Sequence, residues 1–235
     1  IDTIAGIASP SWSVQSRDWT TLYVQSATQD IYEVDLSNYT VTTTGTGFCT
    51  GKSIYSLDIS ADDSKLYAPC LLDNSTNSPV DIINTSNGSL KGSITTGNTL
   101  HEATLSGDGK YLYVQERKDN PTTDTYIALY KIDTLTDTVI SELNVTKSTN
   151  NWEIELSHDD KIAYIANGTE LLIYNLESND DIKKTLPNGA NSEILRLSDD
   201  NKKLYLTIYN SSDILEYDLL GDSFRVLDVG VNAIT

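Results

Sequence analysis

Apolar residues in this chain fall in short alternating runs, and small polar residues cut the runs apart. Ala103-Thr104-Leu105 leads into Ser106-Gly107-Asp108-Gly109-Lys110, and Tyr111-Leu112-Tyr113-Val114-Gln115 leads out. A period of two marks a half-buried strand, and Asp-Gly between two such runs favours a tight hairpin. No stretch shows sustained helical spacing of apolar residues. The pattern predicts an all-β chain.

The unit repeats. Ser-x-Asp-x-x-x-Leu/Ala-Tyr starts at Ser16, Ser60, Ser106, Ser157 and Ser198, in steps of 44, 46, 51 and 41 residues. Each period holds four strand-like runs; in the first they cover 12–15, 22–25, 31–36 and 39–44. A four-stranded meander cannot bury both faces by itself, whereas radially stacked sheets cover one another. Five such units predict a β-propeller of five four-stranded blades, with the first strand of each innermost. The blades span approximately 9–50, 51–98, 99–149, 150–190 and 191–230 of a single domain, with strand-like terminal segments at 1–8 and 231–235. Leu22, Leu66, Leu112, Ala163 and Leu204 then fall at equivalent buried positions. Ile1 to Ile7 is expected to form a strand at the outer edge of a blade, as a clasp on the fifth blade or as an addition to a neighbouring molecule.

Ser106 to Val114, followed by Tyr130-Lys131-Ile132-Asp133-Thr134, resembles the YVTN repeats of surface-layer β-propellers. Leu22-Tyr23-Val24-Gln25 and Ala163-Tyr164-Ile165-Ala166-Asn167 are related copies. The proline usual before Asp-Gly in that family is replaced by Arg17, Ala61, Gly107, His158 and Asp199, and many members have seven blades. The resemblance implies the propeller fold and an exported or cell-surface setting. It says little about activity, since similar repeats also occur in enzymes such as lactonases.

Composition narrows the partners. The chain has 235 residues, 38% of them hydrophobic, and a formal net charge of −18. So acidic a surface repels phosphate backbones and anionic lipid, which argues against nucleic acid and membrane insertion. The chain has no methionine, and a removed secretion signal is the simplest reading. Cys49 and Cys70 are the only cysteines. They flank the first two strands of the second blade, which brings them to one face, and a disulfide is expected. Glycosylation acceptors occur at Asn38, Asn74, Asn84, Asn87, Asn144, Asn167 and Asn210.

The repeated Ser and Asp read as turn-formers, since short polar side chains bond the backbone of a hairpin. Five positions before each motif serine stand Ser11, Tyr55, His101, Trp152 and Glu193, with Trp12 beside the first. Trp12, Tyr55, His101, Trp152 and Glu193 are therefore candidate ligand-binding residues at the mouth of the central channel. The polar loop from Glu116 to Thr125 belongs to the same face. Asp58, Glu102, Glu153 and Glu155 on the inner strands are candidate ligands for Ca²⁺, opposed by Arg196. No cofactor is otherwise expected, and no catalytic motif is present.

Three functions fit these observations. The first is an exported, non-enzymatic propeller in a surface layer, filament or adhesion, whose partners are other proteins or copies of itself. The second is a carbohydrate- or peptide-binding propeller using the aromatic mouth. The third is a metal-dependent, lactonase-like hydrolase or lyase at that mouth, using His101, Glu102, Glu153 and Glu193.

Overall fold

The structure is a computed structural model that describes residues 6–50, 53–71, 78–97, 99–118, 126–147 and 153–229. Trp152, Asn74, residues 1–5, 119–125 and 230–235, and the side chains of Glu193 and Asn144 lie outside this description.

Five sheets follow one another, each a meander whose strands pair in chain order, and together they give the β-propeller fold. The first holds β1 (Pro10–Gln15), β2 (Thr21–Ser26), β3 (Ile31–Asp35) and β4 (Val41–Gly45). In the second the inner strand is broken into β5 (Ser53–Ile54) and β6 (Asp58–Ile59), both on β7 (Lys65–Leu71), followed by β8 (Pro79–Asn84) and β9 (Leu90–Thr95). The third holds β10 (Thr99–Leu105), β11 (Tyr111–Lys118), β12 (Tyr126–Asp133) and β13 (Thr138–Lys147). The fourth holds β14 (Ile154–Leu156), β15 (Ile162–Asn167), β16 (Glu170–Asn175) and β17 (Asp181–Thr185). The fifth holds β18 (Ser192–Leu197), β19 (Lys203–Ile208), β20 (Asp213–Asp218) and β21 (Ser223–Asp228). One short 3-10 turn, Pro187–Gly189, is the only helical element among the described residues, and no helix there is long and apolar enough to cross a membrane.

The described residues form two compact units. One runs to Arg117 and includes Leu129–Glu142; the other holds Lys118–Ala128 and the chain from Leu143 onward. In the first unit, Tyr23, Ile54, Leu57, Leu66 and Ile83 make a core with the buried cysteines, and Tyr67, Val80, Leu100, Leu112 and Ile132 make another. In the second unit, Tyr164, Leu171, Leu195, Leu204 and Tyr217 fill the space between the fourth and fifth sheets. Leu66, Leu112, Ala163 and Leu204 are fully buried, as the repeat predicts. Leu22 is not: it is half-buried and lines an open groove on the first sheet. Gly6 to Ser9 are not strand, so the expected N-terminal strand is absent from the described part of that segment. Tyr39, expected to open a strand, lies in the turn before β4.

The motif builds the same turn five times. Each serine hydroxyl donates to the Asp two residues on, at 2.7, 2.7, 2.9, 2.6 and 2.8 Å in chain order. The same oxygen accepts the N–H five residues on, from Thr21, Lys65, Tyr111, Ile162 and Lys203, at 2.9–3.0 Å. The residue after each Asp-led corner takes positive φ: Trp19, Asp63, Gly109, Asp160 and Asn201.

These turns also tie sheets together. The Arg17 N–H donates to both Asp63 oxygens at 3.1 Å, and the His158 N–H donates to Asn201 at 3.4 Å. Where Gly109 stands instead, a Cβ would meet the Ala61 methyl at 2.3 Å, so contact replaces the hydrogen bond. The turn between the third and fourth strands behaves alike. Asp137 takes Lys65 and Lys91 at 2.8 Å each, and Asp222 takes Lys184 at 2.7 Å.

Candidate functional site

Strand pairing on the inner edge is broken at one recurring place. Pro10 pairs with Ser26 and Ser13 with Val24, so Ser11 and Trp12 together face Gln25. Leu100 pairs with Glu116 and Ala103 with Val114, so His101 and Glu102 face Gln115. Ser192 pairs with Ile208 and Leu195 with Leu206, so Glu193 and Ile194 face Thr207. In the second sheet Tyr55, Ser56 and Leu57 fill the gap between β5 and β6. A bulge inserts one residue, bends the strand and re-aims its side chains. Trp12, Tyr55, His101 and Glu193, four of the five sequence candidates, therefore stand at bulged positions.

Three of them touch within the first unit. The rings of Trp12 and Tyr55 lie 5.9 Å apart and tilted by 38°; those of Tyr55 and His101 lie 4.6 Å apart and tilted by 59°. These separations and tilts suit aromatic rings, which avoid face-to-face sandwiches. Trp12 and Tyr55 are half-buried, and His101 is buried. Trp12 is also one wall of a groove of about 360 Å³ lined by Ile7, Pro10, Ser11, Leu22 and Val34. Across the first bulge Gln25 is buried, and its Oε1 has no hydrogen-bond partner among the described residues.

Three of the candidate cation ligands, Asp58, Glu153 and Glu155, have hydrogen-bond or ion-pair partners within the protein. Asp58 accepts the Ile59 N–H at 2.7 Å with one oxygen and the Leu105 N–H at 2.6 Å with the other. Burial pushes its pKa up to about 6, against the pull of those two bonds. Glu153 accepts the Leu195 N–H at 2.7 Å and pairs with Arg196, which also reaches Glu155 at 3.7 Å. Burial raises the Glu153 pKa, and Arg196 offsets part of that rise. Asp58 and Glu153 thus each tie their own inner strand to the next one in the same unit. Glu102 is half-buried in the third-sheet bulge.

Cys49 and Cys70 form the expected disulfide, with Cα atoms 5.2 Å apart. It is buried beside Asp81, which accepts the Cys49 N–H at 2.7 Å and the Ser93 hydroxyl at 2.6 Å. These three residues are a compact group of potential metal ligands, but the disulfide takes both sulfurs. Of the glycosylation acceptors, Asn38, Asn87 and Asn210 are exposed and Asn84 is half-buried. Asn167 is 2% exposed, and its amide donates to Glu170 at 3.3 Å.

Sequence reasoning missed a second aromatic feature, at the far end of β1. Trp19 and Tyr39 are 74% and 56% exposed in the turns of the first sheet. The signal was present: in the aligned repeats Trp19 stands where the others carry Asp63, Gly109, Asp160 and Asn201.

No protein-family model matches the chain, and no curated protein matches it in sequence. Solved structures do match in fold. Hydrazine synthase of Kuenenia stuttgartiensis is similar over 90% of this chain and 66% of its own, with a TM-score of 0.78 and 18% identity. A chain in the crystal structure of a mitotic checkpoint complex is similar over 96% of this chain and 64% of its own, with a TM-score of 0.73 and 14% identity. The chain thus spans about two thirds of the length of each. At such identities the likeness speaks for the fold alone.

Proposed function

We propose that this protein is an exported β-propeller that binds, rather than transforms, a neutral carbohydrate at the Trp12–Tyr55–His101 row. One observation carries the reading: three successive inner strands, each bulged or interrupted at the same place, bring these rings into one contiguous array. Aromatic faces suit the apolar faces of a sugar, and the neighbouring groove is of ligand size. A neutral ligand also escapes the repulsion that a charge of −18 imposes on polyanions. The disulfide supports the exported setting. The test is calorimetric titration of neutral oligosaccharides into wild type and Trp12→Ala. The reading expects a binder whose affinity falls at least tenfold in the variant. It fails when no neutral oligosaccharide binds or when Trp12→Ala binds equally well.

A second reading, a contact protein of a surface layer or adhesion, draws on Leu135 and Leu220. They occupy matching turn positions in the third and fifth sheets and are 90% and 91% exposed. Exposed leucines at repeated positions suit protein contacts. Sedimentation of wild type and Leu135→Ser/Leu220→Ser over a concentration series tests it.

A further inference from the structure

All five sheets carry two corner positions with positive φ. Between the first and second strands they are Trp19, Asp63, Gly109, Asp160 and Asn201; between the third and fourth they are Tyr39, Gly88, Asp137, Asn179 and Asp222. In four sheets both positions hold Gly, Asn or Asp, the residues that tolerate this backbone. In the first sheet both hold large aromatics, Trp19 at φ 63° and Tyr39 at φ 60°. The hydrogen bonds of the turn impose these angles: Trp19 N–H donates to the Ser16 carbonyl at 3.0 Å and Tyr39 N–H to the Asp35 carbonyl at 2.7 Å. A bulky residue here is a strained choice, and observed strain is grounds for a hypothesis of function.

Packing offers no compensation, because both side chains are mostly exposed. The two turns are joined by a bond from the Leu36 N–H to the Thr20 carbonyl at 2.8 Å. Beside the Trp19 turn lies a groove of about 350 Å³ lined by Val14, Gln15, Ser16, Arg17, Trp19 and Asp58. An open groove with an exposed indole, flanked by the Gln15 amide and the Arg17 guanidinium, matches the chemistry of a sugar chain. The acidic surface disfavours a polyanion.

We propose that Trp19 and Tyr39 form a second ligand site, at the opposite end of β1 from Trp12, that takes a neutral polysaccharide. Each aromatic replaces a residue better suited to its turn so that a stacking surface is displayed. This site stands on its own observations and does not depend on the row at Trp12.

The experiment is affinity gel electrophoresis of wild type, Trp19→Asn/Tyr39→Asn and Trp12→Ala. The gels contain soluble β-1,3-glucan, hydroxyethylcellulose, xylan or galactomannan, with polygalacturonate as the anionic control. Wild type is expected to be retarded by a neutral polymer, and the double variant at least tenfold less. Trp12→Ala is expected to keep this site's share of the retardation. Thermal melting supplies a readout that a structural role would move the other way: the double variant should melt higher than wild type. Melting at a lower temperature would show that the aromatics pack the fold, and the proposal falls. It falls too if no neutral polymer retards wild type, or if only Trp12→Ala loses retardation. Sedimentation decides the remaining alternative: self-association of wild type that the double variant lacks makes a second copy the occupant and overturns the carbohydrate site.

Discussion

The Ser60 hydroxyl donates to Asp62 at 2.7 Å while accepting the Lys65 N–H at 2.9 Å, so one side chain closes both sides of its turn. Ser60 is buried, and removing its oxygen leaves the Lys65 amide without that acceptor. Losing such a bond in a buried setting costs about 1–2 kcal/mol. Ser60→Ala should therefore lower the midpoint of thermal unfolding by about 2–8 °C for a chain of this size. Asp62→Asn, which keeps an acceptor, should cost less. Calorimetric melting of both variants checks the order.

The pH profile of stability should have two limbs of opposite sign. Asp18, Asp62, Asp108, Asp159 and Asp200 are all lowered, with serine hydroxyl bonds first among the causes except at Asp108, where Lys110 leads. Asp62 and Asp108 fall to about 2. Folded values below the unfolded value of about 3.9 give stability that is present above that pH and lost as pH falls towards 2. Asp58, raised to about 6 by burial despite the opposing pull of the Arg17 charge, acts the other way. Its contribution is complete below about pH 4 and is lost as pH rises through 6. Melting temperature should rise from pH 7 to pH 5 and fall below pH 4. Asp58→Asn should shrink the first limb and leave the second; an unchanged first limb would remove Asp58 from the account.

Turn chemistry was the legible part of this chain. Ser106-Gly107-Asp108-Gly109 names its own hairpin, and five spaced copies define five sheets. Tyr55 and His101 were legible as neighbours because a constant offset from each motif serine puts them on adjacent inner strands. The bulges that aim them were not, because a bulge adds one residue to a strand without changing its alternation elsewhere. The ties made by Asp58 and Glu153 were also hidden: each accepts a backbone N–H of the next inner strand, from Leu105 and Leu195. Nothing local distinguishes such a carboxylate from a cation ligand. Tyr39 read as a strand opener because tyrosine favours strands, yet the turn bonds override that preference.

The Cys49–Cys70 disulfide closes a loop with a sequence separation of 21 residues. Loop-closure entropy for a loop near this size gives about 3 kcal/mol. Cys49→Ala/Cys70→Ala should lose roughly that much in urea unfolding, through a lower midpoint with little change in slope. Both sulfurs are buried in the native protein, with the residues 0–1% exposed. Dithiothreitol should therefore leave the folded protein oxidised and reduce it only once urea opens the core. Mass spectrometry after alkylation, with and without urea, reads this directly. Two alkylated cysteines in the untreated native protein would contradict the pairing.

The last prediction sets Gly88 against its counterparts. Asp137 and Asp222, at the matching corner, reach back to lysines of the preceding sheet in the same unit. Gly88 has no side chain to offer, and the first sheet has come closer instead: a Cβ on Gly88 would lie 1.4 Å from the Thr44 carbonyl oxygen. That neighbour is backbone and cannot swing aside. Gly88 also sits at φ 64°, so any side chain adds conformational strain to the clash. Gly45 faces the same approach, since its own Cβ would lie 2.4 Å from the Gly88 carbonyl oxygen. This seam is therefore held by close backbone contact where the corners at Asp137 and Asp222 use ion pairs. Gly88→Asp, which installs the residue that works at 137 and 222, should destabilise the protein by about 3 kcal/mol or more. Asp137→Gly, which removes the ion pairs to Lys65 and Lys91 but adds no clash, should be milder. Equal losses in the two variants, measured by urea unfolding, would show that the corners are interchangeable and that the close approach at Gly88 contributes nothing.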